Sequence, residues 1–256
     1  MDTGARTRPT SSSGWRRQRR TPKNELECRI RLHAEAAPGL LDVVSYHQNL
    51  DNCAQTALHN YLFADGIIQS TWAGLIRLKL SSQDMQPPGR EQVRATQKTA
   101  WGRHNSDHAL VEFSPIASPG LNQWHAAAFS DEAIHQYRWL NNRNDTIAHL
   151  QTMVNDGTHP LKNWLLELRN KKPEKKRVIV AYGAVYWPVY QQIIGGAFHP
   201  TPLQNVAGIR PMWHSVQDNR LVLLIYGPTA RGWSNAGWDA LGKAVGRWLQ
   251  GNGFTL

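Results

Sequence analysis

Cysteine is nearly absent, with two in 256 residues. Two cannot build the disulfide framework of a small secreted scaffold, which excludes that class. No apolar run approaches the roughly 18 residues of a membrane span, and the N-terminus lacks the apolar stretch of a signal peptide. Metal-ligand pairs are missing as well. The cysteines stand 25 apart with no ligand pair beside either, and His104 and His108 straddle a loop-to-strand transition. Neither metal nor cofactor is expected, nor a membrane, and a monomeric cytoplasmic protein is. Acidic residues are few, 19 Asp+Glu against 29 Lys+Arg, for a net charge of +10.

The distribution of that charge carries more information than its size. Residues 1–25 hold Arg6, Arg8, Arg16, Arg17, Arg19, Arg20 and Lys23 against Asp2 and Glu25, so they supply +5 of the +10. This stretch is rich in Ser, Thr, Gly and Pro and cannot bury enough surface to offset its ordering entropy, so residues 1–30 read as a disordered basic tail. A second cluster comprises Arg169, Lys171, Lys172, Lys175, Lys176 and Arg177. Basic arms and loops attract phosphate by counterion release, so the two clusters together favour a nucleic acid as partner. The plainer alternative is a solubilising tail and a solvated loop.

Along the chain, Leu40–Tyr46 reads as a first strand, β-branched at Val43 and Val44. The spacing of Ala54, Ala57, Leu58 and Tyr61 predicts a helix over Asp51–Leu62. Ser81–Asn105 is polar and reads as a loop or an excursion. Ala109–Phe113 reads as a strand. Asp145 can cap a helix carrying Ile147, Leu150, Met153 and Val154, and Pro160 suits the first turn of the next. Arg177–Tyr182 and Leu221–Tyr226 are almost continuously apolar, as strands are when both faces of a sheet are covered. Ser234 opens a last helix with Trp238, Leu241, Val245, Trp248 and Leu249 on one stripe, and Gly251 ends it. Residues 31–256 are therefore expected to form a single three-layer α/β/α domain with a mostly parallel central sheet. Ligands in such folds sit beyond the carboxyl ends of the strands, here Tyr46–Asn52, Ser114–Leu121, Tyr182–Trp187 and Tyr226–Ser234. Most of the eleven tryptophans have core positions, while Trp187 and Trp233 fall near loop ends, where a base could stack.

Two resemblances sharpen these readings. RVIVAYG, ALVEFSPIASPGLNQW and LVLLIYGPTARGWSNAGWDALG together resemble the uracil-DNA glycosylase superfamily over roughly residues 105–250. The resemblance implies DNA binding, a base-recognition site and hydrolysis of the N-glycosidic bond of a damaged base. It assigns water placement to Asn49, with Gln48 and Asp51 in the same loop after the first strand. Thr229, Arg231 and Ser234 would hold backbone phosphate, Ser114 would stand where the family reads the base, and His199 in Phe198-His-Pro-Thr-Pro202 would assist the leaving group. Gly227 stands where the motif's own His would be, and Leu50 where its Pro would be. This model requires the tips of the first and last strands to meet in one crevice.

The alternative lies in the first half. Val44–Leu58 resembles the nucleophile segment of bacteriocin-processing papain-like cysteine peptidases. That resemblance implies Gln48 in an oxyanion hole, Cys53 as thiolate nucleophile and His108 as its base, with Asn122 as orienting partner. Here Ala54 and Gln55 replace that family's Gly-Pro. The plain reading of Cys53 is a small buried residue on a helix face.

Overall fold

The structure, a computed structural model, describes residues 23–36, 43–64, 67–103, 106–110, 139, 142–201, 208–227 and 232–256. Among these residues there are four strands, β1 (Arg177–Tyr182), β2 (His199–Pro200), β3 (Trp213–Gln217) and β4 (Arg220–Ile225). They form one sheet in the order β1-β4-β3-β2. β1 runs parallel to β4, Arg177 opposite Arg220 and Tyr182 opposite Ile225. β3 turns back through Asp218-Asn219 to pair antiparallel with β4, and β2 pairs antiparallel with β3.

Among the described residues, eight α-helices accompany this sheet: α1 (Lys23–Ala36), α2 (Val43–Ala54), α3 (Ser70–Asp84), α4 (Arg90–Thr99), α5 (Arg143–Asn155), α6 (Pro160–Lys171), α7 (Trp187–Ile194) and α8 (Asn235–Leu249). The expectation of a three-layer α/β/α fold with a mostly parallel sheet is thereby overturned. Helix dominates, and the sheet is small and mixed, with one parallel pair among the described residues. The reason lies in the apolar runs. Two long ones, RVIVAY and LVLLIY, were strands as expected, but β1 is an edge strand and half-buried rather than central.

β4 is the middle of the molecule. Leu221, Val222, Leu223, Leu224 and Ile225 are all fully buried, because the sheet has helices on each side of this strand. Leu221, Leu223 and Ile225 face α3 and α8, joined by Val178, Val180 and Tyr182 of β1. Val222 and Leu224 face α5 and α7, where Leu150, Val154, Val189 and Ile193 pack. Burying each such side chain contributes roughly 1.5–3 kcal/mol.

α3 and α8 approach closely because glycines let them. A Cβ on Gly242 would lie 2.5 Å from the carbonyl oxygen of Leu78, and one on Gly246 would lie 2.5 Å from that of Ser82. Gly74 makes the opposite allowance, its empty side chain leaving room for the Trp238 indole. Between these contacts sits a nearly buried ion pair. Arg77 donates from Nε and Nη2 to the two oxygens of Asp239 at 3.0 and 2.5 Å, and the Ser81 hydroxyl donates to the same carboxylate.

Helix limits follow local chemistry. Ser234 caps α8, its Oγ accepting from Gly237 N at 3.0 Å, and Asn142 caps α5 through Asp145 N. Pro160 opens α6 at the first turn, as expected. The second basic cluster divides on inspection. Lys176 Nζ donates to the carbonyls of Trp248 and Leu249 at the end of α8, and Arg177 donates to Leu168 and Lys172 carbonyls at the end of α6. These two cations satisfy orphan helix carbonyls. Lys171, Lys172 and Lys175 remain exposed.

The amino-terminal half departs most from expectation. The segment read as a strand over Leu40–Tyr46 enters α2 at Val43. Its β-branched pair lost to a helical spacing, Val43, His47, Leu50 and Ala54, which turns one face to neighbouring helices. The helix expected over Asp51–Leu62 is interrupted. α2 ends at Ala54, Gln55 takes a φ of +52°, and a π-helix follows over Asn60–Ala64. Ser81–Asn105, read as loop, contains the end of α3 and all of α4. α4 buries only Val93 and Gln97, so its sequence carries almost no apolar signal. Gln97 is nonetheless satisfied, donating to the Leu62 and Ile67 carbonyls and accepting from Gln69 N. α1 begins at Lys23, inside the stretch read as tail. It lies against α2, and the disulfide Cys28–Cys53 joins the two helices. The strand expected at Ala109–Phe113 lies mostly outside the described residues.

Candidate nucleic-acid interface

β1 and β4 end side by side, and both chains then leave the sheet at the same end. Gly183 N donates to the Ile225 carbonyl, and a φ of +100° at Gly183 turns the chain into a 3-10 turn and then α7. Only glycine holds such a φ without strain. After β4 come Tyr226 and Gly227, and, beyond residues 228–231, Gly232, Trp233 and the cap of α8. β3 begins at this end too, since Trp213 pairs with Leu224.

The result is a group of half-buried aromatic rings on one rim of the sheet. Trp187 packs edge-on against Trp213, centroids 4.7 Å apart, and against Tyr226 at 5.2 Å. Its Nε1 donates to the Ile225 carbonyl at 3.2 Å, which fixes the indole. Arg210 lies over the Tyr226 ring, 4.4 Å from its centroid. The stem of Arg210 runs beside Gly232, where any Cβ would meet its Cγ at 3.1 Å. Gly208 accepts from Ser234 N and lies against Gly237, which seats the Arg210 segment across the start of α8. Trp233 stacks on Trp238 at 4.2 Å, and its buried Nε1 has no hydrogen-bond partner. Burial raises the Tyr186 hydroxyl above its ordinary pKa, with the charge of nearby Arg143 opposing. A guanidinium therefore lies over one end of a row of partly exposed rings. Chemically, such a rim suits planar rings bearing negative charge.

The expected site residues divide differently from this rim. Ser234 is at the right end, but its hydroxyl is the α8 cap. Thr229, Arg231 and Ser114 lie outside the described residues. Gln48, Asn49 and Asp51 do not follow a strand; they ride on α2, where Gln48 and Asn49 are exposed. The Asp51 carboxylate accepts from Leu58 N at 2.8 Å, His59 N at 2.9 Å and the Thr56 hydroxyl, so it orders the chain leaving α2. His199 is exposed on β2, across from His214 at 6.5 Å between ring centroids. His214 in turn meets the Thr201 hydroxyl at 2.9 Å, and burial together with the charge of His199 lowers its pKa. The first-strand loop on which water placement depended is thus a helix, and the crevice between two strand tips is not formed by those residues.

The peptidase constellation is also dissolved. Cys53 is bonded to Cys28 and has no thiol. His108 Nε2 accepts from Gly102 N, its Nδ1 meets Asp107 at 3.1 Å, and its ring stacks on Trp101. Burial lowers its pKa, Asp107 acting against that and Lys79 with it. At Asp107 burial works upward, but His108 and Lys79 outweigh it and hold the carboxyl below its usual value. These groups lock the turn after α4. Asn122 lies outside the described residues.

Arg210, Arg143, Trp213 and Tyr226 were not singled out as site residues. Arg210 sits in Gly208–Pro211, which has no periodicity and belongs to no element, so only its contacts reveal it. Trp187 did carry a signal, a tryptophan where a strand passes into a helix. No helix among the described residues is long and apolar enough to cross a membrane. Compared with known proteins, the chain matches no family model, no curated protein and no solved structure.

Proposed function

We propose that this protein binds DNA, with bases stacking on the aromatic rim at the carboxyl end of β1 and β4. The observation that carries the reading is the Trp187–Tyr226–Arg210 array, two fixed rings with a guanidinium laid over one of them. Base–aromatic stacking contributes about 1–3 kcal/mol per base and accepts any base, because every base has a π face. The net charge of +10 supplies the salt-dependent attraction to phosphate that such binding needs. No observation favours hydrolysis over binding. The residues assigned to water placement are exposed or engaged in holding the turn after α2.

Fluorescence anisotropy with a labelled single-stranded oligonucleotide tests the proposal. Wild-type protein binds at low salt, and its affinity falls linearly in log K against log salt. Arg210→Gln and Trp187→Ala each weaken binding about tenfold, while far-UV circular dichroism stays unchanged. An absence of binding at low salt, or binding that both substitutions leave intact, refutes it. Release of uracil from the same oligonucleotide carrying one dU measures directly whether excision accompanies binding.

A further inference from the structure

We propose that Cys28–Cys53 is a thiol–disulfide exchange site, that Cys53 is the sulfur attacked, and that Arg31 promotes release of its thiolate. The inference is independent of nucleic-acid binding. Three observations converge on it. First, the two sulfurs are unequally accessible: Cys28 is 8% exposed within the contact between α1 and α2, whereas Cys53 is half-buried near the end of α2. Exchange requires in-line access to a sulfur, so an incoming thiolate meets Cys53.

Second, Arg31 Nη2 lies 2.9 Å from Cys53 Sγ. Cys53 sits in the last turn of α2, where the helix dipole is negative and works against an anion. The guanidinium is the group that offsets this and stabilises a thiolate there. Third, the bond holds a contact with little else behind it. α2 is the main neighbour of α1, and among the described residues their shared cluster buries Cys28, Leu32, Leu50 and Ala54. Beside the bond, Arg29 bridges Glu25 and the Tyr46 hydroxyl at 2.7 and 3.0 Å.

The partner is a dithiol reductant. Its thiolate attacks Cys53 Sγ, the Cys28–Cys53 bond breaks, and Cys28 leaves with the electron pair and takes up a proton. The reductant's second thiolate then attacks its own sulfur in the mixed disulfide. That closes the reductant's disulfide and releases Cys53 as a thiolate beside Arg31. Two electrons pass from the dithiol, which is oxidised, to the two cysteines, which are reduced. Opening the bond frees α1, the helix through which the six arginines of residues 1–22 join the fold.

The test uses the full chain with dithiothreitol in native buffer, followed by iodoacetamide pulses across a pH series read by mass spectrometry. Reduction goes to completion without denaturant, and Cys53 is alkylated about threefold or more faster than Cys28 at pH 7. Arg31→Gln, an exposed substitution with no core role, moves the Cys53 pH profile upward and leaves that of Cys28 unchanged. Brief trypsin treatment cuts at Arg29 and Arg31 in the reduced protein only. Reduction that needs denaturant, equal reactivity of the two cysteines, a Cys53 profile unmoved by Arg31→Gln, or trypsin cleavage alike in both redox states each overturns the proposal.

Discussion

The body formed by β4, α3 and α8 and the hairpin formed by α1 and α2 are held together by different physics. In the body, five consecutive strand residues are fully buried, and α3 and α8 pack glycine against backbone around a nearly buried ion pair. In the hairpin, the cluster shared by the two helices has four buried members among the described residues, and a covalent bond together with the polar bridge from Arg29 adds to it. Stability in the body grows with area removed from water, which many contacts share. In the hairpin it is concentrated in one bond, which chemistry can open.

Four measurements break or sharpen this contrast, from the largest effect to the smallest. Asp239→Ala leaves Arg77 without its carboxylate and lowers the unfolding free energy by about 3–5 kcal/mol in urea titration. A loss below 1 kcal/mol means that the pair is not what holds α3 to α8. Cys28→Ser with Cys53→Ser removes a link across 25 residues and costs about 2–4 kcal/mol by the chain-entropy relation. Hydrogen exchange localises that cost: amides of α1 and α2 lose protection while those of β4 keep theirs. Protection lost equally in both regions erases the distinction.

Gly242→Ala places a methyl against the Leu78 carbonyl and lowers stability by about 1–3 kcal/mol. Because the strain is local to the body, hairpin exchange rates do not change. The smallest effect, when read at pH 6, is a pH dependence. Burial, helped by the charge of Lys162, lowers the His159 pKa from 6.5 to about 4. A depressed pKa means that the unfolded chain binds more protons between those values. Stability is therefore full above about pH 6.5 and falls as pH drops toward 4. His47, His108, His149 and His214 are also lowered, burial being the first cause in each, and they act in the same direction. Thermal denaturation across that range shows a shallower decline in His159→Leu than in wild type, and an identical decline refutes the assignment.

The carboxyl-terminal half was legible from its residues. RVIVAY and LVLLIY are strands within a residue of their expected limits, Pro160 and Ser234 open their helices, and the stripe Trp238, Leu241, Val245 and Trp248 is buried, although Leu249, expected on it, is exposed. There the apolar period, the caps and the tertiary contacts agree. In the amino-terminal half they conflict. Val43 and Val44 favour a strand locally, while the core cluster they join, with Phe63 and Trp101 among its members, takes them in as part of a helix. α4 gives no warning, because one valine and one satisfied glutamine are its whole buried face. The candidate site was half legible. The rule that ligands sit beyond parallel strand ends pointed to the end of the sheet where the aromatic rings gather, Trp187 among them. Arg210 could not be found, since a residue in an irregular segment acquires a role only from what lies across from it.

By itself the sequence determined the charge, the two buried-type strands and the helices whose caps and apolar stripes agree, because these depend on neighbours within a few positions. The tertiary structure alone decided that RVIVAY lies at an edge, that Cys28 meets Cys53, and that Arg210 covers Tyr226. Those depend on residues tens of positions apart becoming neighbours, and no local preference encodes which pairs will meet.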